Sequence, residues 1–524
     1  MAAKFWVGNA SFLGLSDNWN YNTAGITNWG SASGVIDNVA PPTVVDAVTF
    51  DGGGLYGNQN STISATISCL SLTITAGYTA TMTHNAILTI AGSWTTHSGF
   101  TIAGSSIISF SANGTWTSGG KTWPNGLKVT GASTVHTISG DLVILGTFNI
   151  SGTNTVINKT TTETFSAAGF NNSSGSANTS TGTITLILTG GSWTCTSASV
   201  RSSFPINIQG DVTIGTIVGI SNTTLTYISG TVITTGSSLS LQLAMSVNTS
   251  GIIWNAIQTS FLSTVITLTS DLACVSFTAN SNNITLNKTG SETLTCSGGL
   301  GVNDAIFGTA KIILTGGTWS GSSTTGVSNN LDIQGNVTIS GNVYKNGGTI
   351  TYVSGTPVVT SSTLNLVTSC NLDTAGMTWN NVTLSNTTAL TYTINSSLNA
   401  SLLTFGTGAS TIFAGTAGFT VDTLSHPSTV GGNTVTLKES ITYTITAAFN
   451  CNTTRVGSTV LFTSAHGTTR ANILMPNNGS NLCNVLANFT RIDASAGRSI
   501  NVFGGTITDC ININQYYDYK GVAA

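Results

Sequence analysis

Apolar residues alternate with Thr, Ser or Asn over most of this chain. Residues 266–270 read ITLTS, and residues 337–341 read VTISG. An alternation with a period of two predicts β-strands that bury one face. Gly, Asn and Ser clusters separate these runs at intervals of about 8 to 12 residues, which predicts short strands joined by turns. The pattern therefore indicates an all-β protein.

A long internal duplication underlies the alternation. INIQGDVTI at residues 206–214 and LDIQGNVTI at residues 331–339 are identical at six of nine positions, 125 residues apart. LTGGSW at 188–193 and LTGGTW at 314–319 belong to the same two copies. A module of roughly 125 to 130 residues recurs about three times between residues 116 and 420. Repetition on this scale is typical of stacked architectures.

We interpret each module as several coils of a right-handed parallel β-helix, a solenoid whose coils take about 20 to 25 residues each. In such a fold the inward residues form columns, and small residues fit the bends. Tandem β-sandwich modules are the alternative, because they have the same cadence of short strands. The predicted organisation is an N-terminal Trp-rich cap or attachment element (1–55), a solenoid (56–425) with repeats at about 116–253, 254–378 and 379–425, and C-terminal coils with a cap (426–524).

Composition narrows the classes of function. Charged residues make up 6% of the 524 residues, against about 25% in ordinary soluble domains. The formal net charge is −3 and the basic residues are scattered, so we expect no nucleic-acid binding. No apolar run approaches the ~18 residues of a membrane span, so we expect no membrane insertion. The first residues, MAAKFWVGNASFLG, contain no apolar core of a signal peptide, and none is expected.

Cysteine and histidine spacing gives no sign of a metal site. The eight cysteines form no C-x-x-C motif, so we predict buried free thiols. The five histidines lack metal-ligand spacing, and we expect them at solvent-facing or turn positions. His136 is replaced by Ile266 in the next copy, which argues against a shared role. We therefore expect no metal and no cofactor.

Several carboxylates recur at equivalent repeat positions. Asp141 corresponds to Asp271, and Asp211 corresponds to Asn336. A carboxylate that recurs in register is typical of a turn or ladder group, so we assign no catalytic residue. Glycoside hydrolysis would need two acids roughly 5 to 10 Å apart. Glu163 and Glu292 form another recurring pair, and the remaining loose candidates are Asp304, Asp332 and Asp493 with Arg491 and Arg498.

The N-terminal segment departs from the repeat. It contains Trp6, Trp19 and Trp29, and Pro41 precedes the first regular strand pattern. We interpret these residues, with Asp46, as a structural cap in which large aromatic rings cover the first coil. A carbohydrate platform of exposed Trp rings is the alternative. Asp46 and Asp51 are predicted to cap turns through their side chains, with calcium binding as the alternative there.

Arginine is concentrated near the other end. Four of the five arginines lie in the last 70 residues, at positions 455, 470, 491 and 498. Because Arg is enriched at protein interfaces, we predict an attachment or oligomer surface. A set of terminal coils with longer polar loops is the alternative. The candidate interface residues are Arg455, Arg470, Arg491 and Arg498.

Both ends of the chain contain motifs that lie outside the repeat. The C-terminal segment at 488–514 contains F-T-R-I-D-A-S-A-G. The N-terminal motif comprises, in order, Trp6, Val7, Gly8, Trp19, Asn28, Trp29, Gly30, Ser33, Gly34, Pro41, Asp46, Val48 and Phe50. These motifs resemble the N-terminal element and the closing coil of β-solenoid structural proteins of tailed bacteriophages and prophages. The N-terminal motif differs from that pattern at Asn9 and Gly30.

The resemblance implies a non-enzymatic virion protein, which is a fibre, spike or surface decoration assembled in the host cytoplasm. It further implies homo-oligomers, with a trimer expected for a fibre, and contacts with other virion proteins and host cell-surface glycans. A tailspike enzyme that cleaves host polysaccharide is one alternative. A bacterial surface adhesin or S-layer protein is the other, and it requires secretion.

Overall fold

The protein is all-β, with 56% of residues in strands and 1% in helix, and its stacked parallel strands form a β-solenoid of about 20 turns. The predicted fold class is confirmed, and the tandem-sandwich alternative is wrong because the strand pairs between coils are parallel. The right-handed winding stays a prediction. The computed structural model describes residues 2–13, 15–173, 179–197, 199–259, 263–280, 283–322, 324–385, 388–406, 410–426, 433–451, 460–465, 467–475, 484–485, 487–497, 499–503 and 506–516.

The chain divides into two compact units, Met1–Ser260 (unit 1) and Phe261–Ala524 (unit 2). This division lies inside the segment 56–425 that the sequence predicts as one solenoid. It separates the first copy of the duplicated module from the second. Each unit therefore contains its own copy of the motifs compared above.

The regular elements of unit 1 are short strands and one helical turn. They are β1 (Ala3–Trp6), α1 (Asn9–Phe12), β2 (Asn22–Thr23), β3 (Ile26–Thr27), β4 (Trp29–Gly30), β5 (Ala47–Phe50), β6 (Ser61–Ile63), β7 (Ile67–Cys69), β8 (Ser71–Ile74), β9 (Thr81–His84), β10 (Leu88–Ile90), β11 (Trp94–Thr95), β12 (Thr101–Gly104), β13 (Ile108–Phe110), β14 (Gly114–Thr117), β15 (Thr122–Trp123), β16 (Leu127–Val129), β17 (Val135–Ser139), β18 (Leu142–Ile150), β19 (Val156–Lys159), β20 (Phe165–Asn172), β21 (Thr179–Gly182), β22 (Leu186–Leu188), β23 (Ser192–Cys195), β24 (Arg201–Ser203), β25 (Ile206–Ile208), β26 (Val212–Ile214), β27 (Ile217–Ser221), β28 (Thr224–Tyr227), β29 (Val232–Ile233), β30 (Ser238–Gln242), β31 (Ala244–Asn248) and β32 (Ile253–Thr259).

The described elements of unit 2 are all strands. They are β33 (Val265–Leu268), β34 (Leu272–Ala279), β35 (Ile284–Lys288), β36 (Thr293–Val302), β37 (Ile306–Phe307), β38 (Lys311–Gly321), β39 (Leu331–Ile339), β40 (Asn342–Lys345), β41 (Thr349–Tyr352), β42 (Thr363–Leu366), β43 (Cys370–Asp373), β44 (Thr378–Leu384), β45 (Leu390–Ile394), β46 (Leu398–Phe405), β47 (Thr411–Gly415), β48 (Phe419–Ser425), β49 (Thr434–Leu437), β50 (Thr442–Asn450), β51 (Val460–Ser464), β52 (Ala471–Leu474), β53 (Asn484–Val485), β54 (Ala487–Thr490), β55 (Ile492–Asp493), β56 (Ile500–Phe503), β57 (Ile507–Thr508) and β58 (Ile513–Tyr516).

In unit 1, in-register parallel pairing stacks inward side chains into columns. Paired residues on successive coils are 18 positions apart at the shortest, from Ser238 to Ala256, and 25 at the longest, from Val156 to Thr181. The period-two pattern places apolar residues inside at every second position, and each fully buried one contributes about 1.5 to 3 kcal/mol. One fully buried column is Val48, Leu72, Trp94, Trp116 and Ile138.

Unit 2 is built by the same rule. Its strands pair in parallel register from coil to coil, and the apolar residue of each pair faces inward. The pairing of β34 with β36 shifts register at a corner. One residue lies between Cys274 and Ser276 of β34, whereas two residues lie between their partners Cys296 and Gly299 of β36. The longest regular inward column consists of Leu272, Leu294, Ile312, Leu331, Ile350, Leu372 and Ile394, each at most 1% exposed.

The duplicated LTGG motif forms a corner of a coil. Gly191 and Gly317 have left-handed backbones with φ of 65° and 71°, a conformation that favours glycine. A Cβ atom on Gly317 would lie 1.9 Å from the backbone of Gly298 on the adjacent coil. Trp193 and Trp319, two residues later, point inward and are 0% and 1% exposed. The motif is therefore a structural corner followed by a core residue.

Candidate functional site

The three N-terminal tryptophans form one buried cluster with Phe50. Trp6, Trp19 and Trp29 are each 0% exposed. The ring centroids of Trp19 and Trp29 are 5.3 Å apart, and Trp6 stacks on Phe50 at 5.3 Å. The indole nitrogen of Trp29 donates a hydrogen bond to the Trp19 carbonyl at 2.8 Å. The alternative of an exposed carbohydrate platform is wrong for these three rings, since they present no surface.

The acidic residues beside this cluster hold turns. The Asp46 carboxylate accepts hydrogen bonds from the amide and hydroxyl of Thr43 at 3.0 and 2.8 Å. Burial raises and these hydrogen bonds lower the pKa of Asp46, and the net shift is downward. Asp51 accepts a hydrogen bond from the amide of Gly53 at 2.9 Å. Both carboxylates cap turns as predicted, and Pro41 is half-buried in the irregular segment before β5.

A recurring aspartate joins adjacent coils in each unit. The Asp141 carboxylate accepts hydrogen bonds from the amide and hydroxyl of Thr164 at 2.8 and 2.9 Å. In unit 2, Asp271 accepts the same pair of bonds from Thr293 at 2.9 and 3.1 Å. The two partners lie one coil further along the chain. The interpretation of these carboxylates as ladder groups is confirmed.

The recurring glutamates hold local turns of the same coils. Glu163 accepts hydrogen bonds from the Thr160 hydroxyl and the Thr161 amide, which lower its pKa to about 2. In unit 2, Glu292 accepts a hydrogen bond from the amide of Gly290, and this bond lowers the pKa of Glu292. Both side chains lie at the surface and bond to residues two or three positions earlier. They serve the turn between two strands.

The pair Asp211 and Asn336 gives a direct test of the ladder role. Asp211 accepts a hydrogen bond from the Thr231 amide at 2.7 Å, and Asn336 accepts one from Thr356 at 2.8 Å. Because an amide oxygen accepts the equivalent hydrogen bond in the second copy and Asp211 lies at the surface, D211N is expected to change the free energy of unfolding by less than about 0.5 kcal/mol. D211A removes the acceptor and is expected to cost about 1 kcal/mol. Urea unfolding of both variants measures this, and an equal loss in both would contradict the ladder role.

The other acidic candidates are engaged locally. Asp304 accepts a hydrogen bond from the amide of Ala305 at 2.7 Å. Asp332 forms an ion pair with Lys311 at 2.9 Å. Asp493 accepts a hydrogen bond from the amide of the turn residue 495 at 2.8 Å. In the described ranges, no group of three or more His, Cys, Asp or Glu residues is placed to hold a metal ion.

Two of the four predicted interface arginines lie in the described ranges, on adjacent coils. Arg470 donates hydrogen bonds to the carboxylate and, at 3.0 Å, the carbonyl of Asp509. Arg491 has a left-handed backbone with φ of 56°, and its buried Nε has no hydrogen-bond partner among the described residues. Arg455 and Arg498 lie outside the described residues. The interface itself stays a prediction.

The expectation that histidines face solvent is wrong for three of them. His84, His136 and His426 are 1%, 0% and 2% exposed. They occupy inward positions, and the replacement of His136 by Ile266 in the second copy was the available signal. Burial lowers the pKa of each to about 4. His97 is half-exposed, and His466 lies outside the described residues.

The cysteines follow the prediction of buried thiols. Cys69, Cys195, Cys274, Cys296 and Cys370 are buried free thiols, Cys451 is also buried, Cys510 is half-buried and free, and Cys483 lies outside the described residues. The Sγ atoms of Cys274 and Cys296 are 3.7 Å apart on adjacent coils. Burial raises the pKa of Cys69 and Cys370 to about 12. Such thiols are unreactive at neutral pH.

Unit 2 contains a buried lysine that was not predicted from the sequence. Lys345 is 0% exposed, and its Nζ donates hydrogen bonds to the carbonyls of Val327 at 3.2 Å, Asn329 at 2.8 Å and Gly347. Burial lowers its pKa to about 8. The corresponding residue of the first copy is Ile220, an inward position. That replacement was the signal for burial, and carbonyl oxygens take the place of a carboxylate partner.

These observations define the class of protein as a β-solenoid with an aromatic N-terminal cluster and repeated polar ladders between coils. The described part of the chain contains no helix long and apolar enough to cross a membrane. No family model, no curated protein and no solved structure matches this sequence. The link to phage proteins therefore stays a prediction from the motifs at the two ends.

Proposed function

We propose that this chain is a non-enzymatic structural protein of a tailed-bacteriophage particle, acting as a fibre, spike or surface decoration. The motifs around Trp6, Trp19 and Trp29, and the closing segment at 488–514, support this proposal through their resemblance to such proteins. The proposed location is the virion, with assembly in the host cytoplasm. Homo-oligomers, other virion proteins and host glycans are the proposed partners, without nucleic acid or membrane insertion.

One observation carries the structural role. Parallel in-register pairing continues from coil to coil in each unit, and polar ladders such as Asp141 to Thr164 recur at equivalent positions of both modules. Each coil is stabilised by its neighbours, so a unit resists bending and presents its outer side chains at fixed spacing. A stiff, sparsely charged surface suits weak contacts repeated along a receptor polymer.

The enzymatic alternative requires free acids in one groove. Asp141, Asp271 and Asp211 accept hydrogen bonds from neighbouring coils, and their recurrence in register favours a role in stacking. A secreted adhesin or S-layer protein remains a different hypothesis, because the same solenoid surface suits a cell envelope. The location of the protein and its depolymerase activity distinguish the virion protein, the enzyme and the secreted protein.

The test is mass spectrometry of gradient-purified phage particles from the host that carries this gene, together with a depolymerisation assay on the host polysaccharide. The proposal predicts that the protein co-sediments with particles at fixed stoichiometry and releases no oligosaccharide. Recovery in the cell envelope alone would contradict the proposal in favour of the adhesin. Polysaccharide cleavage that is lost in Asp→Asn variants would contradict it in favour of the enzyme.

A further inference from the structure

The two copies of the module, one in each unit, are similar in some segments and different in others. Residues that are the same or of the same class in both copies are called retained. Residues 226–231 and 351–356 are identical at five of six positions. By contrast, 215–223 and 340–348 are identical at one of nine positions. Both pairs of segments lie in the same coils of their units. Sequence identity between the two copies is therefore concentrated on one side of the coil.

The retained side includes a column of outward residues at a corner. The residue just before each member is paired in parallel with the residue just before the next member, which lies one coil further along. The members therefore stack on one another from coil to coil. The residue class agrees between the two units at every position except one, where Ala168 corresponds to Ser297. In unit 1 the column is Leu145, Ala168, Thr189, Gln209 and Ile228, and in unit 2 it is Val275, Ser297, Thr315, Gln334 and Val353.

A second column lies on the strands beyond the same corner. Its members also stack in parallel register through successive coils. The two columns of a unit together are called the retained face. In unit 1 the second column is Thr147, Gly169, Ser192, Thr213 and Ile233, and in unit 2 it is Ser276, Gly299, Thr318, Thr338 and Val358.

Exposed aliphatic side chains on this face are retained although the core does not need them. Ile228 and Ile233 are both 51% exposed, and their counterparts Val353 and Val358 are 53% and 50% exposed. An exposed isoleucine gains little from folding, so the fold does not require an aliphatic residue there. Retention of the residue class and of the exposure in both copies points to contact with a ligand.

The polar members of the face are free to bind. The amide of Gln209 and the hydroxyls of Ser192 and Thr213 make no side-chain hydrogen bond within the described part of unit 1, whereas Thr189 bonds to the Ala167 carbonyl at 3.2 Å. A carboxamide offers both donors and an acceptor, and hydroxyls offer both functions. Adjacent coils place these groups about 4.8 Å apart.

The chemistry of the face selects among partners. None of its ten positions in either unit is charged, so acidic polymers, which need Lys or Arg, are disfavoured. None is Trp, Tyr, Phe, Met or Arg, the residues that anchor protein interfaces. The remaining combination of free hydroxyls, amides and aliphatic side chains matches a ligand that presents hydroxyl groups and C–H surfaces without charge.

We propose that each unit binds a neutral polysaccharide along its retained face, so that one chain carries two equivalent sites. This inference rests on the proposed attachment function and names the surface and the ligand class for it. Gln209 with Thr213 in unit 1, and Gln334 with Thr338 in unit 2, hydrogen-bond the sugar hydroxyls. The flanking aliphatic side chains contact the C–H faces of the sugar rings.

The test uses the full chain on an array of neutral oligosaccharides long enough to span several coils, with hyaluronan and heparin fragments as charged probes. Titration calorimetry then measures the bound neutral oligosaccharide, with two sites per chain expected. Q209A/T213V is expected to leave one site per chain, and adding Q334A/T338V is expected to weaken binding at least about tenfold. T216V is the matched control, because Thr216 is exposed and its counterpart is Gly341.

Several outcomes would overturn the inference. They are failure to bind any neutral oligosaccharide, binding of charged probes alone, equal loss in the T216V control, or unchanged affinity in a fourfold variant that unfolds like the wild type. Self-association that the fourfold variant abolishes would assign the face to contacts between copies. If the fourfold variant still attaches to particles and host cells, this site falls while the proposed function stands.

Discussion

Lowering the pH from 6.5 to 4 is expected to remove about 3 kcal/mol of unfolding free energy for each of three buried histidines, His84, His136 and His426. Burial lowers the folded-state pKa to about 4, whereas the unfolded value is 6.5. Between these values the unfolded state binds more protons, so stability falls as the pH falls. Above pH 6.5 the contribution is complete and constant.

Urea unfolding at closely spaced pH values measures this loss. Two of the histidines lie in unit 1 and one in unit 2, so the acid dependence is expected to be larger for unit 1. H136I introduces the isoleucine found at the equivalent position 266 of the second module. This variant should lose less unfolding free energy on acidification than the wild type, by the contribution of one histidine. A flat profile between pH 6.5 and 4 in the wild type would show that these rings are not buried neutral.

Carboxylates affect the free energy of unfolding at lower pH than the buried histidines do. Hydrogen bonds lower the pKa of Glu163, Glu292 and Asp37, and Thr43 does so for Asp46 against the opposing effect of burial. A carboxylate whose pKa is lower in the folded state than in the unfolded state stabilises the protein at pH values above its unfolded-state pKa. This stabilisation is lost as the pH falls through the folded-state pKa. Their contribution is therefore lost progressively as the pH falls below about 4, which is the lower end of the histidine window.

Removing Trp29 is expected to destabilise unit 1 by about 3 to 5 kcal/mol, because W29A deletes a fully buried ring and leaves a cavity. The ring of Trp29 contacts Trp6, Trp19 and Phe50 at centroid distances of 5.4, 5.3 and 5.7 Å. Loss of the cluster also uncovers the first coil, and exposed strand edges associate. Urea unfolding and light scattering are the measurements.

Leu55 supplies the matched control for the cluster. It lies in the same N-terminal segment but is 79% exposed, so L55A is expected to change the unfolding free energy by less than about 0.5 kcal/mol. Similar losses in W29A and L55A would contradict the role of the tryptophans as a buried cap. A stable W29A variant that loses only glycan binding would contradict it as well.

The sequence predicted the parts of the fold that follow from short-range rules. Period-two alternation predicts strands such as β33, and the duplicated LTGG motif predicts a corner because Gly191 and Gly317 adopt a left-handed backbone that favours glycine. The ladder role of Asp141 and Asp271 followed from their recurrence in register. These features depend on local geometry or on comparison of the two copies.

Burial of polar residues was not predictable by the same rules. His136 and Lys345 each replace or are replaced by isoleucine in the other copy, but residue type alone favours the surface for both. Their burial depends on partners brought close by coil stacking. The Trp116 ring lies 4.6 Å from the ring of His136, and the carbonyls of Val327 and Asn329 accept hydrogen bonds from Lys345. Contacts between coils depend on register, which the spacing of motifs does not fix.

The most direct test of the account is a crystallographic or electron-microscopic density map of the full chain that resolves individual strands. We expect parallel strands about 4.8 Å apart, with Trp94 directly beside Trp116 on the next coil and Thr164 beneath Asp141. Antiparallel pairing of strands on successive coils, or separate β-sandwich domains in place of stacked coils, would contradict the account at its base.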